Sequence, residues 1–191
     1  MKTAVLIEGF SGGPLHTRNF RHTLGEAGFR VVKDKNSADV VIAHSAGIYA
    51  VPHDTMAKVL LLIGPTYWPN QPLFKRFVRH ARSSGKNQKQ QFGWKFFIWT
   101  RLKQFFYFFA RNKYLWLGIK NNNRLDFLDR LTADPGRKII IVRNQDDDYC
   151  SPEIENVCKT YETVRFVTFP GQHEDFVTNP KPYIDLLLKE L

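Results

Sequence analysis

Short, unbroken apolar runs constrain this chain more than any other feature. Residues 4–7 read Ala-Val-Leu-Ile, residues 40–43 Val-Val-Ile-Ala, and residues 59–63 Val-Leu-Leu-Leu-Ile. A strand with one wet face alternates apolar and polar residues; these runs do not, so both of their faces need covering. Further strands are predicted at 29–32, 137–142 and 164–169. Helical patterns lie between them. Over 15–27, Phe20, Leu24 and Ala27 fall at i, i+4 and i+7, with Gly28 as the stop. Over 123–131, Leu125, Leu128 and Leu131 share a side, and over 180–191 Tyr183, Leu186 and Leu187 do the same. Ser151-Pro152-Glu153 reads as a helix start, with Ser as N-cap, Pro first and an acid in the first turn. Residues 46–56 begin as a helix and meet Pro52. Strands in alternation with helices predict an α/β protein with a mostly parallel sheet.

One connection does not fit this simply. About six residues, 33–38, separate the strand at 29–32 from that at 39–43. A crossover between parallel neighbours normally needs a dozen or more. Either a helix is missing here, or the first of the two strands is an irregular edge.

At 191 residues and 43% hydrophobic, the chain suits one folded domain. The apolar run ahead of Glu8 is too short for a secretory leader and reads as a first core strand. No run approaches the ~18 uncharged apolar residues of a spanning helix. Cys150 and Cys158 lie eight residues apart on one expected helix, about 12 Å, too far for a disulfide. Two free thiols suit a reducing cytoplasm. The six histidines show no H-x-x-x-H spacing, so neither metal nor cofactor is expected.

The net charge of +10 is unevenly distributed. Residues 65–120 hold twelve Lys and Arg and no acid, so the remainder of the chain carries a slight negative charge. The same segment holds 16 of the 27 aromatics, including all four Trp.

Reactive residue types recur where predicted strands end. Gly9-Phe10-Ser11-Gly12-Gly13 follows the first strand, where a glycine-rich turn lets backbone N–H groups face a ligand. Ser45 follows the strand at 39–43, among the small neighbours Ala43, Ala46 and Gly47. A sharp strand-to-helix turn needs small residues two before and two after a nucleophile. Asp146-Asp147-Asp148 follows the strand at 137–142, and His173 follows that at 164–169. In an open parallel sheet, sites form at the carboxyl ends of strands. A nucleophile, an acid and a base in the order Ser, Asp, His therefore gather at one edge. Counting back from the helix start at Ser151 selects Asp147 as the acid; counting from Pro152 selects Asp148. Asp146 reads as a solvated turn residue, and His44 as a residue that supports the site rather than a base.

Together these residues resemble a small α/β-hydrolase-fold serine hydrolase of the esterase and lipase kind. Ala43-His44-Ser45-Ala46-Gly47 resembles the nucleophile elbow. Val5-Leu6-Ile7-Glu8-Gly9-Phe10 resembles the strand that ends in His-Gly, with Glu8 in the place of His. Asp147-Asp148-Tyr149-Cys150-Ser151-Pro152-Glu153 resembles the acid loop, and Pro170-Gly171-Gln172-His173 the histidine loop. The resemblance covers 1–64 and 121–191. It implies one α/β-hydrolase domain, with 66–120 as a basic, aromatic-rich helical lid inserted into it. It implies Ser45, His173 and Asp147 (or Asp148) as triad, and the amides of Ala46 and of Phe10 or Ser11 as oxyanion donors. His16, Tyr67 and Trp68 are then substrate-binding candidates, and the substrate an ester or thioester with an apolar acyl group.

The basic aromatic segment leaves three uses open. It can form the lid and acyl pocket, lie on an anionic membrane surface through residues 70–118, or bind nucleic acid. The stretch Gln104-Phe105-Phe106-Tyr107-Phe108-Phe109-Ala110 is apolar nearly all round a helix, which favours burial or lipid over phosphate. The rival to an enzyme is a non-catalytic module that keeps the hydrolase scaffold and docks through this segment. An enzyme of this kind would be cytoplasmic, peripheral at the inner membrane face if the segment docks there; its oligomeric state is not legible.

Overall fold

A computed structural model describes residues 1–9, 17–67, 69, 98, 102 and 125–191. Among the described residues, six parallel strands form: β1 (Lys2–Ile7), β2 (Phe29–Val32), β3 (Val40–His44), β4 (Val59–Ile63), β5 (Lys138–Asn144) and β6 (Val164–Phe169), in the order β2-β1-β3-β4-β5-β6. β4, which is wholly apolar, and β3, which is apolar up to His44 at its end, occupy the centre and are buried throughout. β6 at one edge is only partly covered.

Helices lie on both faces. On one, α1 (Arg18–Glu26) buries Phe20 and Leu24, and α4 (Asp175–Thr178) and α5 (Lys181–Glu190) add Phe176, Tyr183, Ile184 and Leu187, against Ala4, Leu6, Val40, Ile42, Leu61 and Ile63. On the other, α2 (Asp126–Leu131) and α3 (Ile154–Cys158) set Phe127, Leu128, Ile154 and Cys158 against Val5, Val41, Leu60, Leu62 and Ile141. Alternate residues of each strand thus feed opposite layers, which is why the runs have no polar interruptions.

The strand order resolves the short connection. β2 and β3 are not neighbours, because β1 lies between them. Val32 stands level with Val5 and Val40 level with Ala4, so the chain climbs down by only about one residue rise. It crosses β1 on the Val5 side, where Ala38 joins that core layer. Asp39 then pins the crossing by accepting bonds from the Thr3 amide and hydroxyl. The strand at 29–32 is indeed a sheet edge, and no helix is required.

Two helix expectations are corrected. Residues 46–56 do not form an α-helix; Ser45–Ala50 is a single stretch of 3₁₀ helix, after which Val51 is extended ahead of Pro52. The third helix begins at Ile154, three residues after Ser151. Bonds from Ile154 N to Ser151 O, Glu155 N to Pro152 O and Asn156 N to Glu153 O are of i→i+3 type, so the chain enters by a tight turn and Ser151 does not cap the α-helix.

At the amino end of the sheet, the buried Arg137 guanidinium donates to the carbonyls of Thr55 (2.8 Å) and Leu131 (3.0 Å). It joins the approaches to β4 and β5. The opposite, carboxyl end is thereby left for chemistry.

Candidate active site

One strained residue and two backbone close approaches shape the carboxyl end of the sheet. Ser45, the first residue after β3, has φ = 55°, and among the described residues it alone other than glycine has positive φ. That conformation is strained for a residue with a Cβ. The approach behind it is at Gly47: a Cβ there would stand 2.7 Å from the carbonyl oxygens of Ile7 and Glu8 at the end of β1. A Cβ at Gly9 would meet Ser45 Cβ at 2.8 Å. Ala43, by contrast, is fully buried in the core layer, so the position two before Ser45 accommodates a methyl group. Ser45 itself is half-buried. Ala46 follows in the first turn of the 3₁₀ helix, where backbone amides lack intrahelical acceptors.

Asp147 and His173 are both buried. His173 Nδ1 lies 2.8 Å from Asp147 Oδ2 and 2.9 Å from Oδ1. Since a carboxylate only accepts, Nδ1 carries the proton in this pair, and neutral His173 then presents Nε2 as a base. Asp147 Oδ1 is itself fixed by the amides of Tyr149 (2.8 Å) and Cys150 (3.1 Å). Of the two acids weighed from the sequence, Asp147 holds this bond, while Asp148 is half-buried and Asp146 is exposed. Gly64, just past β4, has φ = 55°, and a Cβ on it would lie 2.9 Å from both Asp147 Oδ2 and His173 Nδ1. The pair therefore needs a glycine beneath it.

Burial is the largest influence on the His173 imidazole and favours its neutral form; Asp147, aided by Glu174 and Asp148, outweighs it and holds the pKa above the ordinary histidine value. This is the electrostatic state of a base whose protonated form is stabilised by its orienting acid.

His44 stands immediately before Ser45 and reaches the base. Its Nε2 is 3.2 Å from the His173 carbonyl oxygen, and its ring centroid is 4.6 Å from that of His173 and 4.2 Å from that of Phe176. Ser45, Asp147 and His173 thus all follow the carboxyl ends of strands, β3, β5 and β6, and the structure brings Asp147 and His173 into contact.

Tyr67 is buried in the core layer, and its backbone is bonded to the acid loop through Tyr149 O (3.0 Å) and Ser151 N (2.7 Å). Burial raises its phenol pKa, with Glu153 adding to the effect. Phe10, Ser11, His16 and Trp68 lie outside the described residues, as does nearly all of 66–120. Burial pushes the Cys158 thiol up to about 12, which keeps it protonated and unreactive, and neither cysteine is in a disulfide. Among the described residues, no group of three or more His, Cys, Asp or Glu is arranged to hold a metal, and no helix is long and apolar enough to cross a membrane.

Several supporting residues were not singled out from the sequence. Asn144, Tyr183 and Gly64 touch or flank the Asp147–His173 pair, and Thr17 and Arg21 form a group with Glu8 just past β1. In that last group, the largely buried Glu8 carboxylate accepts from Thr17 Oγ1 and from Arg21 Nη2 at 3.2 Å. Only Glu8 carried a signal, as a charged residue directly ending a core strand.

No family model matches the chain, and no curated protein matches it in sequence. Solved structures do match in shape. A carboxylesterase of the ammonia-oxidizing thaumarchaeon Nitrososphaera gargenis is 17% identical over 98% of this chain and 89% of its own, with a TM-score of 0.63. A hydrolase from Oleispira antarctica is 12% identical over 99% and 90%, with a TM-score of 0.64. An α/β hydrolase from a metagenome of Mar Chica lagoon sediments, Morocco, is 12% identical over 98% and 89%, with a TM-score of 0.58. The likeness is one of fold: this chain has the α/β-hydrolase fold.

Proposed function

We propose that the protein is a serine hydrolase that cleaves an ester or thioester with an apolar acyl group. The observation that supports this most is a buried imidazole bonded to a buried carboxylate at 2.8 Å at the carboxyl end of the sheet, the same end at which β3 runs into a serine at φ = 55°. The solved structures of like fold described above are hydrolases, one of them a carboxylesterase, which supports the same class.

In this reading Ser45 Oγ attacks the acyl carbon while its proton passes to His173 Nε2. Asp147 holds the imidazole and stabilises the imidazolium. The carbonyl π electrons move onto oxygen, and the amides of Ala46 and of Phe10 or Ser11 receive that oxyanion. Its collapse breaks the bond to the alcohol or thiol, which leaves with the His173 proton. Water, deprotonated by His173, then attacks the acyl-Ser45 ester, and the serine leaves with the returned proton. Residues 66–120 form the lid and line the acyl pocket with their aromatics.

A fluorophosphonate probe tests this. The intact protein is expected to label, and Ser45→Ala to abolish labelling. No labelling of the intact protein, or labelling that survives Ser45→Ala, overturns the reading and leaves the non-catalytic docking module. Segregation of twelve cations and 16 aromatics into residues 65–120 supports a second role for that segment in either case, attachment to an anionic membrane surface.

A further inference from the structure

The His173 loop is gripped through two successive backbone carbonyls by two buried side chains from elsewhere in the sheet. Asn144, the last residue of β5, donates from Nδ2 to the Gln172 carbonyl, and His44, the last residue of β3, donates from Nε2 to the His173 carbonyl at 3.2 Å. The two donors are 1% and 5% exposed, so water does not compete well for either bond. Each is also oriented. Tyr183 OH donates to Asn144 Oδ1 at 2.7 Å, which turns the amide so that its NH₂ faces Gln172. His44 is wedged between the rings of His173 and Phe176. A carbonyl only accepts, so His44 is held with its proton on Nε2.

The loop needs such restraint. It passes through Gly171 at φ = 111° and runs straight into α4, a helix of four residues. Asp175 Oδ2 accepts from the Gln172 amide at 3.0 Å, and Gly171 O accepts from Asp146 N at 2.9 Å. These bonds close the turn. The bonds from Asn144 and His44 tie it to β5 and β3, the strands that lead into the acid loop and Ser45.

We propose that His44 and Asn144 are positioning residues, which set the height and tilt of the His173 imidazole between Ser45 and Asp147. This rests on the serine-hydrolase reading for its catalytic meaning, but the restraint itself is independent of turnover. A base displaced by about 1 Å loses on the order of a hundredfold in rate while the substrate site is untouched. The signature is therefore a fall in kcat at nearly constant KM.

The experiment compares wild type with His44→Phe, which keeps a ring but no donor, with His44→Gln, which keeps an N–H donor, and with Asn144→Leu in a Tyr183→Phe background, where no hydroxyl is left buried without a partner. Three quantities are measured: kcat and KM for a p-nitrophenyl butyrate probe, the urea midpoint, and the solvent-exchange rate of the His173 Nδ1 proton by NMR. His44→Phe and the Asn144 variant are expected to lose roughly ten- to a hundredfold in kcat with KM within about threefold, and to exchange the Nδ1 proton about tenfold faster; His44→Gln restores both to within about fivefold of wild type. Wild-type kcat and exchange in His44→Phe would overturn the proposal. So would equal losses in His44→Phe and His44→Gln that simply follow the urea midpoint, since those mark a packing role. If the wild type neither hydrolyses this ester nor labels with the fluorophosphonate, the enzyme reading fails and the proton-exchange comparison still decides the positioning.

Discussion

At the scale of single residues, the site depends on groups held in states they would not adopt alone. Ser45 occupies the left-handed region although it carries a Cβ. His173 is buried yet holds its proton more tightly than an ordinary histidine, because Asp147 is 2.8 Å away. The sign of the pH dependence follows. In the proposed serine-hydrolase reading the base must be neutral to act, so probe labelling is expected to fall with decreasing pH through a midpoint above about 6.5. Asp147→Asn removes the charge, leaves burial to dominate, and moves that midpoint down, while the rate drops on the order of 10³–10⁴-fold through loss of orientation. A midpoint unchanged in Asp147→Asn, read from rates between pH 5 and 9, would contradict the pairing. Stability runs the other way: the raised pKa makes the pair contribute fully below about pH 6.5, and that contribution fades as pH rises through the folded-state value.

At the scale of elements, tight backbone approaches place the three loops. Gly47 packs on the last carbonyls of β1 and Gly64 lies under the Asp147–His173 pair. Gly47→Ala is expected to push the 3₁₀ turn off β1 and to destabilise the protein by about 1–3 kcal/mol in urea unfolding. A change below a few tenths would show that the turn shifts freely. The elements themselves were largely legible, because apolar runs and helix stops are local signals: β2 and β6 fall where the sequence puts them, and Gly28 ends α1 at φ = 85°. The 3₁₀ turn was not legible as such. A helix-compatible stretch leads from β3 to Pro52, and the hydrogen-bond spacing it adopts there is set by packing rather than by its own sequence.

At the scale of the whole molecule, charge and chemistry are separated along the chain. The described body carries the sheet with Ser45, Asp147 and His173 at the ends of its strands, whereas the excess positive charge belongs to residues 65–120. If that segment docks on anionic lipid, each cation near the surface contributes about 1 kcal/mol. Replacing Lys95, Arg101 and Lys103 by Gln is then expected to weaken binding to phosphatidylserine vesicles roughly a hundredfold in flotation assays. Binding of the wild type should fall as salt rises. Equal flotation of the two forms would exclude electrostatic docking.

The sequence by itself determined the class of fold, since unbroken apolar runs between amphipathic helices have few ways to be buried other than a parallel sheet covered on both faces. It also determined the order in which Ser45, Asp147 and His173 are met along the chain. Only the tertiary structure decided the strand order that sets β1 between β2 and β3, and with it the short crossing at 33–38. It alone decided that Asp147 rather than its neighbour meets the imidazole, and that His44 and Asn144 hold the loop behind it. These contacts join residues 26 to 129 positions apart, and no local propensity encodes them. They arise from the packing of strand ends against one another.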